Sequence, residues 1–276
     1  ASELYLQLAD GTRRPLDSEW RFRFAEARLV PADDNKNQFP TLLYNAMIHP
    51  LQPYPLRGAI WYQGESNAYA VEESLRYRTL FPAMIKQWRA QWDAPALPFL
   101  WVQLASFGSG ADTPQQSPWS VLRESQTATL SLPATGQVVT IDIGDRADIH
   151  PRNKRDVGQR LALAARHVAY GEALVYSGPM QRGVRFADHA AIVDFNTGGA
   201  ALVARGGGGV QGFEVAGADR VFHPARARID GDTVAVRSDA VVTPVAVRYG
   251  WRDDAGKANL ANAAGLPASP FRSDTW

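Results

Sequence analysis

The sequence predicts an α/β fold, in which a parallel β-sheet packed with helices is followed by a C-terminal β-sandwich. Between about residues 40 and 175, short apolar runs alternate with helical patterns, as in parallel β-α-β units. The active loops of such units lie at the carboxyl ends of the strands. From residue 176 to residue 276, short strands recur at roughly ten-residue spacing, separated by Asp-Gly, Gly-rich and Asn/Asp turns, as in a β-sandwich.

The first 30 residues predict part of a β domain. LYLQL alternates in polarity, the Asp-Gly pair after it forms a turn, and aromatic residues recur at period two at Trp20, Phe22 and Phe24. A polar, proline-containing stretch over 30–40 predicts a linker. We therefore predict domains over residues 1–30, 31–175 and 176–276.

Three strands and four helices are predicted for the α/β part. The helix over 69–92 is amphipathic, because its apolar residues fall at three- and four-residue spacing, and Pro82 lies inside it. Strands are expected over 56–63, 98–105 and 137–144, and helices over 41–51, 69–92, 117–131 and 153–170.

The composition excludes several classes of function. A formal net charge of +1 and the lack of a Lys/Arg block argue against a nucleic-acid partner. The chain has no cysteine, which excludes disulfides, thiolate metal sites and a cysteine nucleophile. No apolar run approaches the roughly 20 residues of a membrane span. Glycines 206–209 lack the Lys-Ser/Thr of a phosphate loop and predict a turn.

WYQGESNA, residues 61–68, contains the first candidate for catalysis. Its Gly64-Glu65-Ser66-Asn67-Ala68 matches the spacing of the elbow that presents a nucleophilic serine, which makes Ser66 a candidate nucleophile. The alternative is that Ser66 is a polar cap of the following helix. Gln63, at a strand end, could instead donate its amide to the oxyanion that forms in acyl transfer.

His150, in TIDIGDRADIHPRNK, is the second candidate. It follows an apolar strand and precedes a helix, with Asp142, Asp145 and Asp148 nearby. A general base for ester hydrolysis needs an imidazole that is oriented by a carboxylate. The alternative is an Asp-rich loop that only caps the helix. The remaining histidines have the patterns of structural residues: His49, His167, His189 and His223.

Several ordered motifs resemble the sialate O-acetylesterase group of carbohydrate esterases, which belongs to the SGNH (GDSL-like) hydrolases. The motifs are LLYNAMIHPL, LRGAIWYQGESNA, LRESQ, TIDIGDRADIHPRNKRDVGQRLAL and the terminal GLPASPF. The resemblance runs from about residue 40 to the end of the chain. It implies a flavodoxin-like, three-layer α/β/α domain that removes acetyl esters from sugars through Ser, His and usually Asp, without a cofactor or a metal.

The resemblance also implies roles for individual residues. His150 matches the general base, and Gln63 matches the side-chain amide of the oxyanion hole, with Glu65 and Asn67 supporting its loop. The orienting Asp of SGNH hydrolases commonly lies three residues before the histidine, but Ala147 stands there. Asp148 is therefore the expected orienter, with Asp145 or a backbone carbonyl as alternatives.

One departure from the family pattern concerns the nucleophile. The family's serine lies in an early G-Q-S-N-M-like block, and neither that block nor the second, glycine-bearing block occurs here. The chain therefore resembles the C-terminal part of such an enzyme, with residues 1–30 as the end of an inserted β domain and 31–175 as the later half of the catalytic domain. A second polypeptide fragment is expected to carry the serine, and a periplasmic or extracellular location is expected.

Two other functions remain open at this point. In the first, Ser66 and His150 form a self-sufficient serine hydrolase. In the second, the chain is a non-catalytic carbohydrate-binding protein, in which aromatic residues such as Trp251 or Trp276 stack on a polysaccharide.

Overall fold

The computed structural model describes residues 5–15, 39–108 and 117–276, in two compact units, Ala1–Leu51 and Gln52–Trp276. The aromatic repeat at Trp20, Phe22 and Phe24 and most of the predicted linker lie outside the described residues. The domain boundaries predicted at residues 30 and 175 stay predictions.

The described part of the first unit contains the predicted hairpin. Strands β1 (Tyr5–Gln7) and β2 (Arg13–Pro15) pair antiparallel. Gly11 has a φ of 86°, which the turn between them requires and glycine adopts freely. The helix expected over 41–51 forms as a π-helical turn, Tyr44–Ile48, followed by a 3-10 turn, His49–Leu51.

The second unit begins with the predicted β-α-β alternation. Its three strands form one parallel sheet, in the order β3-β4-β5, and each is followed by an α-helix. Helix α1 runs through Pro82, which removes one internal hydrogen bond from that helix. The bounds are β3 (Ala59–Trp61), α1 (Val71–Gln91), β4 (Phe99–Val102), α2 (Pro118–Ala128), β5 (Thr135–Val138) and α3 (Lys154–Val168).

Both faces of this sheet are covered by helices. Phe99 and Trp101 of β4 pack into a cluster with apolar residues of α1 and α2. Leu100 and Val102 of the same strand point to the opposite face and pack with residues of α3. A strand that is buried on both faces has the continuous apolar run that the sequence shows at this place.

The third parallel strand ends earlier than expected. The predicted strand over 137–144 is wrong at its far end, because β5 stops at Val138. Side-chain hydroxyls take over the hydrogen bonding beyond it: Thr140 Oγ1 donates to Gln103 O at 2.7 Å, and Ser106 Oγ donates to Ile141 O at 2.7 Å. These residues are as buried as strand residues, so the apolar pattern alone does not indicate the end.

The rest of the chain is antiparallel β structure. Two four-stranded sheets, β10-β9-β13-β15 and β11-β12-β7-β6, contribute to one apolar cluster, and β8 pairs with β14. Residues 206–209 form a turn, as predicted. The bounds are β6 (Met180–Ala187), β7 (Ala190–Asn196), β8 (Leu202–Ala204), β9 (Phe213–Ala216), β10 (Phe222–Pro224), β11 (Arg226–Asp230), β12 (Thr233–Arg237), β13 (Ala246–Tyr249), β14 (Leu260–Asn262) and β15 (Phe271–Arg272).

Strand β3 has an open edge. Within the described residues, it pairs with β4 alone. Ile60, its central residue, has 69% of its surface exposed. Parallel sheets are almost always buried on both faces, so an isoleucine this exposed in such a strand is unusual.

Candidate active site

The candidate residues lie in the loops that follow the three parallel strands. Gln63 comes directly after β3, the segment 103–107 follows β4, and the Asp-rich loop with His150 follows β5. Neighbouring strands are about 4.8 Å apart, so the ends of β3 and β5 are about 10 Å from each other. The carboxyl end of such a sheet is where α/β proteins place their ligands.

The side chain of Gln63 is held by hydrogen bonds on both ends of its amide. Its Nε2 donates to Asn67 Oδ1 at 2.9 Å, and its Oε1 accepts from the Tyr77 hydroxyl at 3.1 Å. Trp61 Nε1 in turn donates to the Tyr77 hydroxyl at 3.1 Å. Asn67, which was expected to support the loop of Gln63, is therefore in direct contact with the Gln63 side chain.

Gln126 of α2 joins the loop after β3 to the loop after β4. Its Nε2 donates to Gln63 O at 3.2 Å, and its Oε1 accepts the backbone N–H of Leu104 at 3.0 Å. Gly64 lies against the same place: a Cβ on it would come within 2.6 Å of Leu122 Cδ2 and 3.3 Å of Gln126 Nε2. Leu122 Cδ2 could shift, but the φ of 156° at Gly64 is one that residues with side chains rarely adopt, so glycine is favoured at this position.

A buried arginine fixes the loop after β4. Arg123 of α2 donates to Leu104 O and Ala105 O at 2.8 Å each, and to Asp253 O at 2.9 Å. Burial lowers the pKa of Arg123 to about 9, although the carboxylates of Asp253 and Asp254 raise it. The side chain still carries its charge at neutral pH, and it ties α2 and the antiparallel part to this edge of the sheet.

The loop after β5 passes very close to the loop after β4. A Cβ on Gly144 would lie 2.2 Å from the carbonyl oxygen of Ser106, and Gly108 N donates to Arg146 O at 3.0 Å. The first of these contacts fixes the start of the segment that leads to His150. The histidine loop is therefore set in place by the neighbouring loop.

His150 presents its ring to solvent. Its side chain is 87% exposed and that of Asp148 is 47% exposed, with Nδ1 of His150 at 3.8 Å from Oδ1 of Asp148. The same carboxylate oxygen accepts the backbone N–H of His150 at 2.9 Å. Asp145 Oδ1 accepts the backbone N–H of Ala147 at 2.9 Å and so closes a turn of its own.

Asp142, the third acidic residue of this loop, is occupied by two arginines. Arg160 donates to it through two nitrogens, at 2.7 and 2.6 Å, and Arg205 contacts it from the antiparallel part. Burial raises the pKa of Asp142, but the hydrogen bonds and charges of Arg160 and Arg205 lower it further, so that the net shift is downward. Its role in the structure is to join the two parts.

Ser66 lies on an exposed 3-10 turn, Glu65–Asn67. In the part of the chain that the structure describes, no hydrogen bond joins its hydroxyl to a histidine.

The charge of Glu65 contributes to a raised pKa at two tyrosines, Tyr62 and Tyr77. Burial raises the pKa of Tyr62 to about 12, and the Glu65 carboxylate adds to that rise.

Trp251 and Trp276 are the two tryptophans considered for stacking on a glycan. Trp251 is only 2% exposed, and Arg272 lies 4.8 Å from its ring centroid, so its faces are not open to a sugar. Arg220 lies 4.8 Å from the ring centroid of Trp276. The prediction that Trp251 stacks on polysaccharide is wrong, because the residue belongs to the interior.

A family model described as "Carbohydrate esterase, sialic acid-specific acetylesterase" matches residues 33–167. This range contains all three parallel strands, together with Gln63, Ser66, Asp148 and His150. Residues 33–167 therefore resemble this carbohydrate esterase family. The resemblance inferred from the motifs is thereby confirmed.

Proteins similar to this region are found in mammals and bacteria. The chain is 38% identical over 162 residues to a sialate O-acetylesterase of Mus musculus, covering 52% of this chain and 29% of that protein. The corresponding human protein is 36% identical over 172 residues, covering 56% and 32%. The crystal structure of a carbohydrate acetylesterase from Xanthomonas citri is 63% identical, with a TM-score of 0.85, and covers 88% of this chain and 56% of that one.

These alignments show that the chain spans about a third of the length of the mammalian esterases and 56% of the bacterial one. In the described residues, no helix is both long and apolar enough to cross a bilayer. The same residues contain no group of three or more His, Asp and Glu side chains arranged to hold a metal ion.

Sequence reasoning missed three residues that hold the loops of the candidate site. Tyr77 has the spacing of a core residue, and its hydroxyl gave no local signal of a contact 14 positions away. Gln126 and Arg123 lie in the LRESQ motif, which carried the family resemblance but no assigned role. A polar side chain on an otherwise buried helix face was the available signal for all three, because buried polar groups need partners.

Proposed function

We propose that the chain is part of a carbohydrate O-acetylesterase that releases acetate from acetylated sugars or polysaccharides. The match to the carbohydrate esterase family model supports the class of reaction. The observation that carries the proposal is that a held side-chain amide at Gln63 and an exposed imidazole at His150 both lie in loops at the carboxyl end of the same sheet. Acyl transfer needs these two groups, one for the oxyanion and one for the proton.

The mechanism follows from these roles. A serine hydroxyl attacks the acetyl carbonyl carbon while His150 takes its proton, and the carbonyl oxygen becomes an oxyanion. Gln63 Nε2 and backbone N–H groups donate to that oxyanion. The C–O bond to the sugar then breaks, His150 protonates the leaving alcohol, and a water activated by His150 releases acetate from the serine. Asp148 stabilises the imidazolium.

We further propose that the serine lies on an N-terminal segment outside this chain, carried by a second polypeptide fragment. The open edge of β3 supports this arrangement. In flavodoxin-like sheets the strand order is 2-1-3-4-5, so the first strand of the domain pairs with the third. A strand added at the open edge would end beside Gln63 and would cover Ile60. We also propose that the antiparallel sheets after residue 176 form a β-sandwich, which contacts the α/β part through the ion pair of Arg205 with Asp142.

The substrate class is an O-acetylated carbohydrate. Sialic acid, acetylated xylan and acetylated xyloglucan all offer the acetyl ester that this chemistry needs, and a periplasmic or extracellular location, where such polymers are met, is part of the proposal. The rate of acetate release from each of these three substrates, measured with the complete protein, ranks the substrates.

The experiment that tests the function compares two substitutions in the complete protein. His150→Ala is expected to abolish acetate release, since loss of the base costs about 10⁶-fold in kcat in a comparable triad enzyme. Ser66→Ala, the matched control in the same site, is expected to retain most of the activity. Full activity in the His150→Ala protein would exclude the mechanism. Loss of activity in Ser66→Ala together with labelling of Ser66 would favour the self-sufficient hydrolase.

A further inference from the structure

We propose that Tyr77 is a positioning residue for this site: its hydroxyl fixes the orientation of the Gln63 amide, so that one N–H of that amide faces the substrate. The inference rests on the proposed function, since it deepens the role given to Gln63. Tyr77 lies on α1 and is only 5% exposed, so the role proposed for it acts through Gln63.

The hydrogen bonds around Tyr77 allow one assignment of its single proton. Its oxygen accepts from Trp61 Nε1, which can only donate. The proton of Tyr77 has two acceptors within reach, Gln63 Oε1 at 3.1 Å and Gln63 O at 3.3 Å. The backbone oxygen already accepts from Gln126 Nε2 at 3.2 Å. We assign the proton to Oε1, because it is the nearer acceptor and has no other donor in the described residues, although a carbonyl oxygen can accept two hydrogen bonds.

This assignment decides which way the Gln63 amide faces. With Oε1 held by Tyr77, Nε2 points to the other side and gives one of its two protons to Asn67 Oδ1 at 2.9 Å. The second proton has no acceptor in the described part of the chain, so it is available to an oxyanion. A reversed amide would place a carbonyl oxygen where negative charge develops, and it would oppose the reaction instead of assisting it.

Two further features make the phenol a dependable donor. Its ring packs on Phe81 with the ring centroids 5.1 Å apart. Burial raises the pKa of Tyr77 to about 12, the hydrogen bond from Trp61 lowers it, and the charge of Glu65 adds to the rise. The hydroxyl therefore keeps its proton throughout the pH range in which an ester hydrolase is assayed.

The test is a double-mutant cycle in the complete protein. Tyr77→Phe keeps the ring and removes the hydroxyl, and we expect kcat to fall about 10- to 100-fold with KM nearly unchanged, somewhat less than the loss of an oxyanion donor itself. In a Gln63→Ala background, the same substitution is expected to have no further effect on kcat. A purely structural role for Tyr77 would lower kcat by the same factor in both backgrounds, and that result would overturn the inference.

Tyr249→Phe is the matched control. Tyr249 is also buried, and its hydroxyl bonds only within the antiparallel part, where it accepts the backbone N–H of Leu260 at 2.9 Å. Its loss is expected to reduce thermal stability and to leave kcat unchanged. If Tyr77→Phe likewise leaves kcat unchanged in an active esterase, the inference fails.

A second readout needs no activity. In the NMR spectrum of this chain, the side-chain NH₂ signals of Gln63, assigned through their loss in Gln63→Ala, are expected to shift and exchange faster with water in Tyr77→Phe. Unchanged signals would contradict the inference even if the esterase is active. A complete protein that releases no acetate would contradict the proposed function, while the NMR result would still decide the role of Tyr77.

Discussion

Asp148 Oδ1 lies between the backbone and the ring of His150: it accepts the backbone N–H at 2.9 Å and stands 3.8 Å from Nδ1. One carboxylate oxygen therefore both shapes the turn and approaches the imidazole. At 3.8 Å it makes an ion pair with a protonated ring and no hydrogen bond to it. The two contributions can be separated by substitution.

Asp148→Asn should separate them, because the amide oxygen can still accept the backbone N–H while the charge is lost. We expect acetate release to fall by at most about 10⁴-fold, against about 10⁶-fold for His150→Ala. Asp148→Ala, which loses both contributions, is the comparison and should be slower than Asp148→Asn. The measurement is kcat in the complete protein. A full-activity Asp148→Asn protein would exclude this carboxylate as the orienter and leave Asp145 or a backbone carbonyl.

Gly144→Ala is predicted to damage the site through backbone crowding. Its Cβ would lie 2.2 Å from Ser106 O and 2.4 Å from Ser106 N, and backbone atoms cannot move aside as a side chain does. We expect a loss of about 1–3 kcal/mol or more in the free energy of unfolding and a displaced His150 loop. Denaturant unfolding of the chain measures the first, and acetate release the second.

Gly158→Ala is the control for this substitution. Gly158 lies inside α3, and a Cβ there has no atom within 4 Å apart from the helix's own backbone. Alanine should raise the free energy of unfolding by up to about 1 kcal/mol, because it favours the helix more than glycine does. Equal destabilisation by both substitutions would show that Gly144 does not approach the backbone of Ser106 closely.

Ile60→Asp is predicted to weaken the joining of this chain to the segment that carries the serine. Burying an isoleucine contributes about 1.5–3 kcal/mol, so the dissociation constant between the two separately produced polypeptides should rise at least about tenfold. Val242→Asp is the control, because Val242 is also 69% exposed but lies in the antiparallel part. Equal affinities for Ile60→Asp and the unaltered chain would mean that the open edge of β3 is not the joining surface.

Asp142→Asn is predicted to destabilise the fold in a pH-dependent way. Its folded pKa lies below the ordinary value, so its stabilising effect is fully present above about pH 4 and disappears as the pH falls through the lower folded value. Near neutral pH the loss should be about 3–5 kcal/mol, because Arg160 and Arg205 keep their charges without a partner. Urea unfolding at a series of pH values measures it. A difference between the two proteins that stays constant down to pH 2 would contradict the assignment.

Much of this fold could be predicted from the sequence. The periodic apolar residues gave α1, α2 and α3 to within a few residues, since each of these helices buries one face against the sheet. The C-terminal end of β5 could not be predicted, because the residues after Val138 are as buried as those of the strand. They form hydrogen bonds with Ser106 and Gln103 instead of continuing the strand. The burial of Trp251 could not be predicted either, since an aromatic residue has the same local sequence pattern in a core and on a binding face.

The candidate site was predicted in part. Gln63 and His150 came from strand-end positions and a family resemblance, and the structure gives each a contact that fits its proposed role. Tyr77 and Gln126 could not be found in this way, because they reach Gln63 from 14 and 63 residues away. Such partners depend on how α1 and α2 pack on the sheet, which local periodicity does not contain.

We propose that this chain supplies the general base and an oxyanion donor, while the nucleophile comes from another segment. To test this, the complete, active protein is treated with a fluorophosphonate probe, and the labelled residue is mapped by mass spectrometry. We expect one labelled serine outside residues 1–276, with acetate release lost in proportion to labelling. A label on Ser66, or on any other serine of this chain, would contradict it.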